Sequence, residues 1–267
     1  MFKNISINGL NIWTVLILTL FYVLLKFLLV IGLFDIIESS IEDPFLQIEL
    51  GEFTSALITI LILLFLFRKY FTVQESNFIS YPNWKLLFLL VILVIGLRLV
   101  EDPFFRYKNI LFNKPNINPD EVKSIGFSID ITLKFIYTIF LVPIFEELLF
   151  RKIIFKPLLI RYSNLWLAIL ISSLLFAATH LSLRNAIPTF LFAVTAAYIY
   201  YKTNNIWYPI SLHILSNLLW FFIFISPKSY WLLLEKLNFN IGYWLVVTFG
   251  IGLIYVAINQ YRRLKVN

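Results

Sequence analysis

Residues 9–34 read GLNIWTVLILTLFYVLLKFLLVIGLF, a run whose only charge is Lys26. A helix needs about 20 apolar residues to cross roughly 30 Å of hydrocarbon, and this run exceeds that. It has no small-residue cleavage site of the A-x-A kind, so it is expected to stay as a first span rather than be removed as a signal peptide. Further runs of about 15–25 residues with almost no charge follow it. Hydrophobic residues make up 60% of the chain, against about 45–50% in soluble domains. A β-barrel would instead alternate in segments of about ten residues, a pattern not found here. The expected fold is therefore all-α, a polytopic integral membrane protein with about eight transmembrane helices. These fall near residues 10–34, 53–67, 84–100, 128–153, 165–181, 186–201, 207–225 and 240–260. No repeat or low-complexity tail divides the chain, so residues 1–267 are expected to form a single integral domain. The fourth span is expected to continue to about residue 160, and Pro143 can kink it. Two helices in its place would invert the topology of all that follows.

Net charge is +7. In such a chain this reads as loop charge that sets orientation, not as a nucleic-acid surface. With the N-terminus inside, twelve Lys and Arg fall on the inner side and seven on the outer, while Lys26, Arg98 and Lys134 lie within spans. The bias places both termini in the cytoplasm. The first outer loop, DIIESSIEDPFLQIELGE (35–52), carries six acids and no base, and reads as a solvated face. Heavy use of Ile, Leu, Phe, Lys and Asn points to an AT-rich bacterial genome, hence to a bacterial cell membrane. The chain has no cysteine, which excludes disulfides, thiol nucleophiles and cysteine-ligated zinc.

Against this apolar background, PIFEELLFRK (143–152) sets two acids side by side, with Arg151 four residues after Glu147. The chain has only two histidines, His180 in LLFAATHLSL and His213 in YPISLHILSNLLW, both within predicted spans. Ionisable groups in hydrocarbon face a cavity or one another. Helix positions i and i+4 share a face, which pairs Glu147 with Arg151, Phe176 with His180 and His213 with Asn217. Glu146 is turned by about 100° from Glu147. Glu147 is thus expected to be held by Arg151, leaving Glu146 to point at the histidines. Counting from the turn RYSN (161–164), Glu146 and His180 both lie about 22–24 Å away along their helices. A second count from TNN (203–205) puts Asn217 nearly level with them and His213 one turn lower. Four groups from three spans, Glu146, His180, His213 and Asn217, are expected to meet in one buried polar pocket.

Such a pocket suits hydrolysis. A carboxylate beside an imidazole can take a proton from water attacking a carbonyl. A second His and an Asn amide can donate to the oxyanion that forms. The same groups suit metal binding as well: Glu146, His180 and His213 would make a Glu-plus-two-His zinc set with an open position. Plainer roles stay open for each residue. Glu147 and Arg151 can be a structural ion pair, a lone intramembrane His or Asn can bond a neighbouring helix, and Phe176 can be packing. A transporter or proton relay would also use buried Glu and His, but broken helices repeated in two halves are missing. So are H-E-x-x-H, G-x-S-x-G and G-x-G-D motifs.

Together E-E-x-x-x-R (Glu146, Glu147, Arg151), F-x-x-x-H (Phe176, His180) and H-x-x-x-N (His213, Asn217) occur in this order on successive apolar segments. The set resembles the CPBP family, the intramembrane CAAX prenyl protease and bacteriocin-processing proteins also called Abi. The resemblance covers residues 125–225, the motif core, without a mismatch. It implies an endopeptidase acting on a peptide or membrane-protein substrate within the lipid bilayer. Family members are described as metal-dependent, while structural reasoning on eukaryotic members favours a glutamate mechanism that requires no cofactor. Carried over, Glu146 and His180 activate water, His213 and Asn217 form the oxyanion hole, and Glu147, Arg151 and Phe176 support them. Bacteria generally do not prenylate proteins, so a bacterial member would not cut a prenylated CAAX tail. Peptide maturation, bacteriocin self-immunity or membrane-protein processing are the implied roles, with a non-catalytic immunity or partner-binding protein as the alternative.

Overall fold

The apolar runs become helices in the protein's computed structural model, which describes residues 10–71, 83–112, 128–181, 183–225, 232, 236–237 and 239–264. Among the described residues all regular structure is helical. The chain falls into two compact units, Met1–Ser80 with Phe127–Thr179, and Tyr81–Gly126 with His180–Asn267. Among the described residues four helices, Ile12–Glu38, Pro44–Phe67, Trp207–Ile225 and Ile241–Arg262, are long and apolar enough to cross a membrane, and Leu165–Ala178 is a shorter apolar helix. With these spans and further apolar helices among the described residues, this is an all-α polytopic membrane protein.

The first unit opens with α1 (Ile12–Glu38) and α2 (Pro44–Phe71), which pack on each other as a hairpin. Asn11 and Asp43 cap them: Asn11 Oδ1 accepts from Thr14 N at 2.9 Å and Asp43 Oδ1 from Phe45 N at 2.9 Å. One helical run then extends from Ile129 to Tyr162, as α4 (Ile129–Ile136), a π segment (Tyr137–Leu141), α5 (Val142–Glu147), a second π segment (Leu148–Phe155) and α6 (Lys156–Tyr162). Each π segment ends two residues before a proline, Pro143 and Pro157. Proline removes an N–H and pushes on the carbonyl four residues back, so a widened turn ahead of it lets the helix go on. Ser163 in the left-handed region (φ 49°) ends α6, and Asn164 caps α7 (Leu165–Ala178) through Leu167 N at 3.0 Å.

In the second unit α3 (Trp84–Phe112) is joined by α8 (Leu183–Thr203), α9 (Trp207–Ile225) and α10 (Ile241–Arg262). Two tyrosines fix α10 antiparallel to α3. Tyr243 Oη donates to Asp102 Oδ2 and Tyr261 Oη to the Leu86 carbonyl, each at 2.6 Å. Between them the backbones meet at Gly96 and Gly250, where a Cβ on Gly96 would lie 2.8 Å from the Gly250 oxygen. Asp102 also pairs with Arg106 at 3.3 Å, and both are buried.

Several boundaries differ from those expected. The second helix starts at Pro44, not near 53, so Glu49 and Glu52 of the supposed outer loop are helical. Glu49 is drawn in by Lys134 Nζ, from which it accepts at 2.6 Å, and Glu52, still partly exposed, pairs with Lys26 at 3.6 Å. These are the two lysines that the sequence leaves stranded in spans. The third helix runs on to Phe112, so Arg106 is a buried helical residue and not a loop cation. Arg151, counted on the inner side, is buried as well. Lys152, also counted on the inner side, is buried too, so the bias narrows to ten against six.

Candidate active site

The paired glutamates sit at the end of α5, where the helix widens into its second π segment. Wide turns of this kind are rare and recur at functional sites. Glu147 and Arg151 form the ion pair expected from their spacing. Arg151 Nε donates to Glu147 Oε2 at 2.6 Å and Nη2 to Oε1 at 3.3 Å, and both side chains are 0% exposed. This two-pronged geometry is the strongest form of a carboxylate–guanidinium contact. Phe176 of α7 lies against it, with the guanidinium carbon 5.4 Å from the ring centroid. Phe150 meets the same ring edge-on at 5.0 Å. Phe176 is therefore more than filler: its aromatic face covers a buried cation.

Glu146, 6% exposed, takes a different partner. Tyr22 of α1 donates its phenol O–H to Glu146 Oε1 at 3.1 Å, and the Tyr22 ring packs on Phe145 at 5.8 Å. The two adjacent acids are thus treated oppositely within one unit. Glu147 is paired with Arg151, and Glu146 accepts a bond from the Tyr22 phenol. Sequence reasoning missed Tyr22, whose only signal was a phenol one turn from Lys26 in an otherwise apolar span.

The remaining candidates belong to the second unit. His180 is not inside a helix as expected. Helix α7 ends at Ala178, Thr179 caps it, and His180 stands exposed in the following turn, before Leu181 at φ 48°. Phe176 and His180 therefore do not share a helix face. The depth count needs revision too, since residues 148–155 do not follow the α-helical rise on which it relied. His213 and Asn217 do lie one turn apart on α9. His213 is buried, with its ring 4.8 Å from that of Phe192 on α8, and Asn217 is half-buried.

A helical integral membrane protein with a locked and an engaged glutamate, a histidine turn and a His-x-x-x-Asn helix is the class that fold and residues define. Comparison with known proteins narrows it. Residues 128–219 match the profile of the family described as Type II CAAX prenyl endopeptidase Rce1-like. A 75-residue stretch is 40% identical to the candidate membrane peptidase YdiL of Bacillus subtilis (strain 168), covering 28% of this chain and 30% of that protein. The chain thus matches less than a third of that relative's length. No solved structure matches significantly. Over residues 128–219, about a third of its length, the chain is similar to CAAX-type membrane proteases. That segment contains all seven motif residues and leaves out α1, and with it Tyr22.

Proposed function

We propose that the chain is a CAAX-type intramembrane endopeptidase that hydrolyses a peptide bond with water activated by Glu146 and His180. The Glu146 carboxylate takes the proton as water attacks the scissile carbonyl, with His180 orienting that water. His213 and the Asn217 amide donate to the tetrahedral oxyanion. Glu146 then returns the proton to the departing amine, and the peptide bond breaks. Glu147, Arg151 and Phe176 hold the helix that carries the base.

The observation that carries this reading is the division of labour between the paired glutamates. Glu147 is neutralised by Arg151, whereas Glu146 is buried and bonded by a phenol, a setting that suits a proton acceptor. Glu146, His180 and His213 are the residues that would hold zinc as Lewis acid. The proposed steps use the chain's own groups. We place the protein in a bacterial cell membrane with both termini in the cytoplasm. Its substrate is a peptide or membrane protein, not a prenylated tail.

Comparing the membrane peptidome of a deletion strain with its parent supplies the substrate, and proteoliposomes holding purified protein supply the assay. Glu146→Ala and His180→Ala are expected to abolish cleavage at normal abundance. Full activity in either rejects the assignment. Protection of cells by Glu146→Gln without any proteolysis would instead favour a non-catalytic immunity or partner-binding role.

A further inference from the structure

We propose that Tyr22 is a positioning residue of this site, whose phenol holds the Glu146 carboxyl in the orientation from which it takes the water proton. The inference rests on the hydrolytic reading above and adds a residue from outside the family-matched segment. The Tyr22 ring is itself fixed by Phe145, so the hydroxyl is presented rather than swinging. Exposure of only 6% for both partners removes the competing water that would weaken such a bond.

The pairing of the neighbouring acids sharpens the point. Lys134 holds Glu49, Lys26 holds Glu52 and Arg151 holds Glu147, all within the same unit. Tyr137 adds a second bond to Glu49 at 2.8 Å. In these three pairs the partner is a cation. At Glu146 the donor from α1 is a neutral phenol. It fixes the direction of the carboxyl through Oε1. A lysine at position 22 would have tied the base up, and a phenylalanine would have left that oxygen without this donor.

Tyr22→Phe removes one oxygen and keeps the ring on Phe145. With the peptide found in the peptidome comparison, kcat is expected to fall about 10-fold or more, the scale of a hydrogen bond to a charged group. KM is expected to stay within about twofold, because a positioning bond acts on the chemical step. Infrared difference spectroscopy gives a readout independent of substrate: the residue 146 carboxyl band, identified by its loss in Glu146→Gln, should shift in Tyr22→Phe. A kcat loss with a shifted band supports the proposal. Wild-type kcat, or an unmoved band whatever the abundance, overturns it. If Glu146→Gln is inactive while Tyr22→Phe behaves as wild type, only the role of Tyr22 falls. If Glu146→Gln still cleaves, the hydrolytic reading fails and the positioning role with it.

Discussion

Replacing Arg151 with methionine keeps most of the side-chain volume and removes the guanidinium. In the native protein both oxygens of Glu147 are engaged, at 2.6 Å and 3.3 Å, and neither partner has any exposed surface. Taking away the cation strands a carboxylate in an apolar interior, which costs about 3–5 kcal/mol. The aromatic cover from Phe176 then faces a thioether instead of a cation, a loss of at most about 2 kcal/mol that overlaps the first. Since folded domains are stable by only about 5–15 kcal/mol, the single variant should lose a large share of its stability. Glu147→Gln with Arg151→Met removes both charges together and should recover most of the loss, because no buried charge is left unmatched. Denaturation in mixed micelles, followed by the fluorescence of the seven tryptophans, measures all three proteins. The reasoning is refuted if Arg151→Met unfolds within about 0.5 kcal/mol of wild type, the range of an ordinary surface change. It is equally refuted if the double variant loses the sum of the two single effects.

Other consequences can be checked on the same preparation. Gly250→Ala would set a Cβ 2.8 Å from the Leu99 Cβ and 3.0 Å from the Gly96 oxygen, and denaturation should show a loss of about 1–3 kcal/mol as α3 and α10 are pushed apart. Tyr243→Phe leaves Asp102 with one fewer donor at a buried 2.6 Å bond; unfolding should come about 1.5–3 kcal/mol earlier, and an unchanged midpoint would contradict the fastening of α10. Exhaustive chelation is expected to leave proteolysis within about twofold of the untreated protein, since the proposed proton transfers run through side chains. Activity lost on chelation and restored by zinc would contradict that chemistry.

How far the sequence could be read followed from the range of each interaction. Helical segments were legible because apolar runs of span length have few other uses. The Glu147–Arg151 pair was legible because its partners lie one turn apart on one helix. Glu49 and Glu52 read as loop acids because their lysines lie on other helices, and nothing local announces the pairing of Glu49 across 85 residues. Tyr22 and Glu146 are 124 residues apart and escaped notice for the same reason. His180 was placed inside a helix because LLFAATHLSL contains no glycine or proline to end one. The break is made instead by Leu181 in the left-handed region, a conformation that a leucine gives no reason to expect. Pro143 signals an irregular fourth segment, but a kink or a split is the natural reading, and the protein answers with widened turns ahead of both Pro143 and Pro157.

Because the chain has no native cysteine, the pairing of base and imidazole can be tested without knowing the substrate. Cysteines introduced together as Glu146→Cys and His180→Cys are offered a short bis-maleimide in native membranes. The Lys134→Cys with Glu49→Cys pair, whose native side chains touch at 2.6 Å, serves as the reference. The account predicts intramolecular cross-linking of 146 to 180 as complete as in the reference pair. A reference pair that cross-links while 146 and 180 do not, although both label with a monofunctional maleimide, would contradict it.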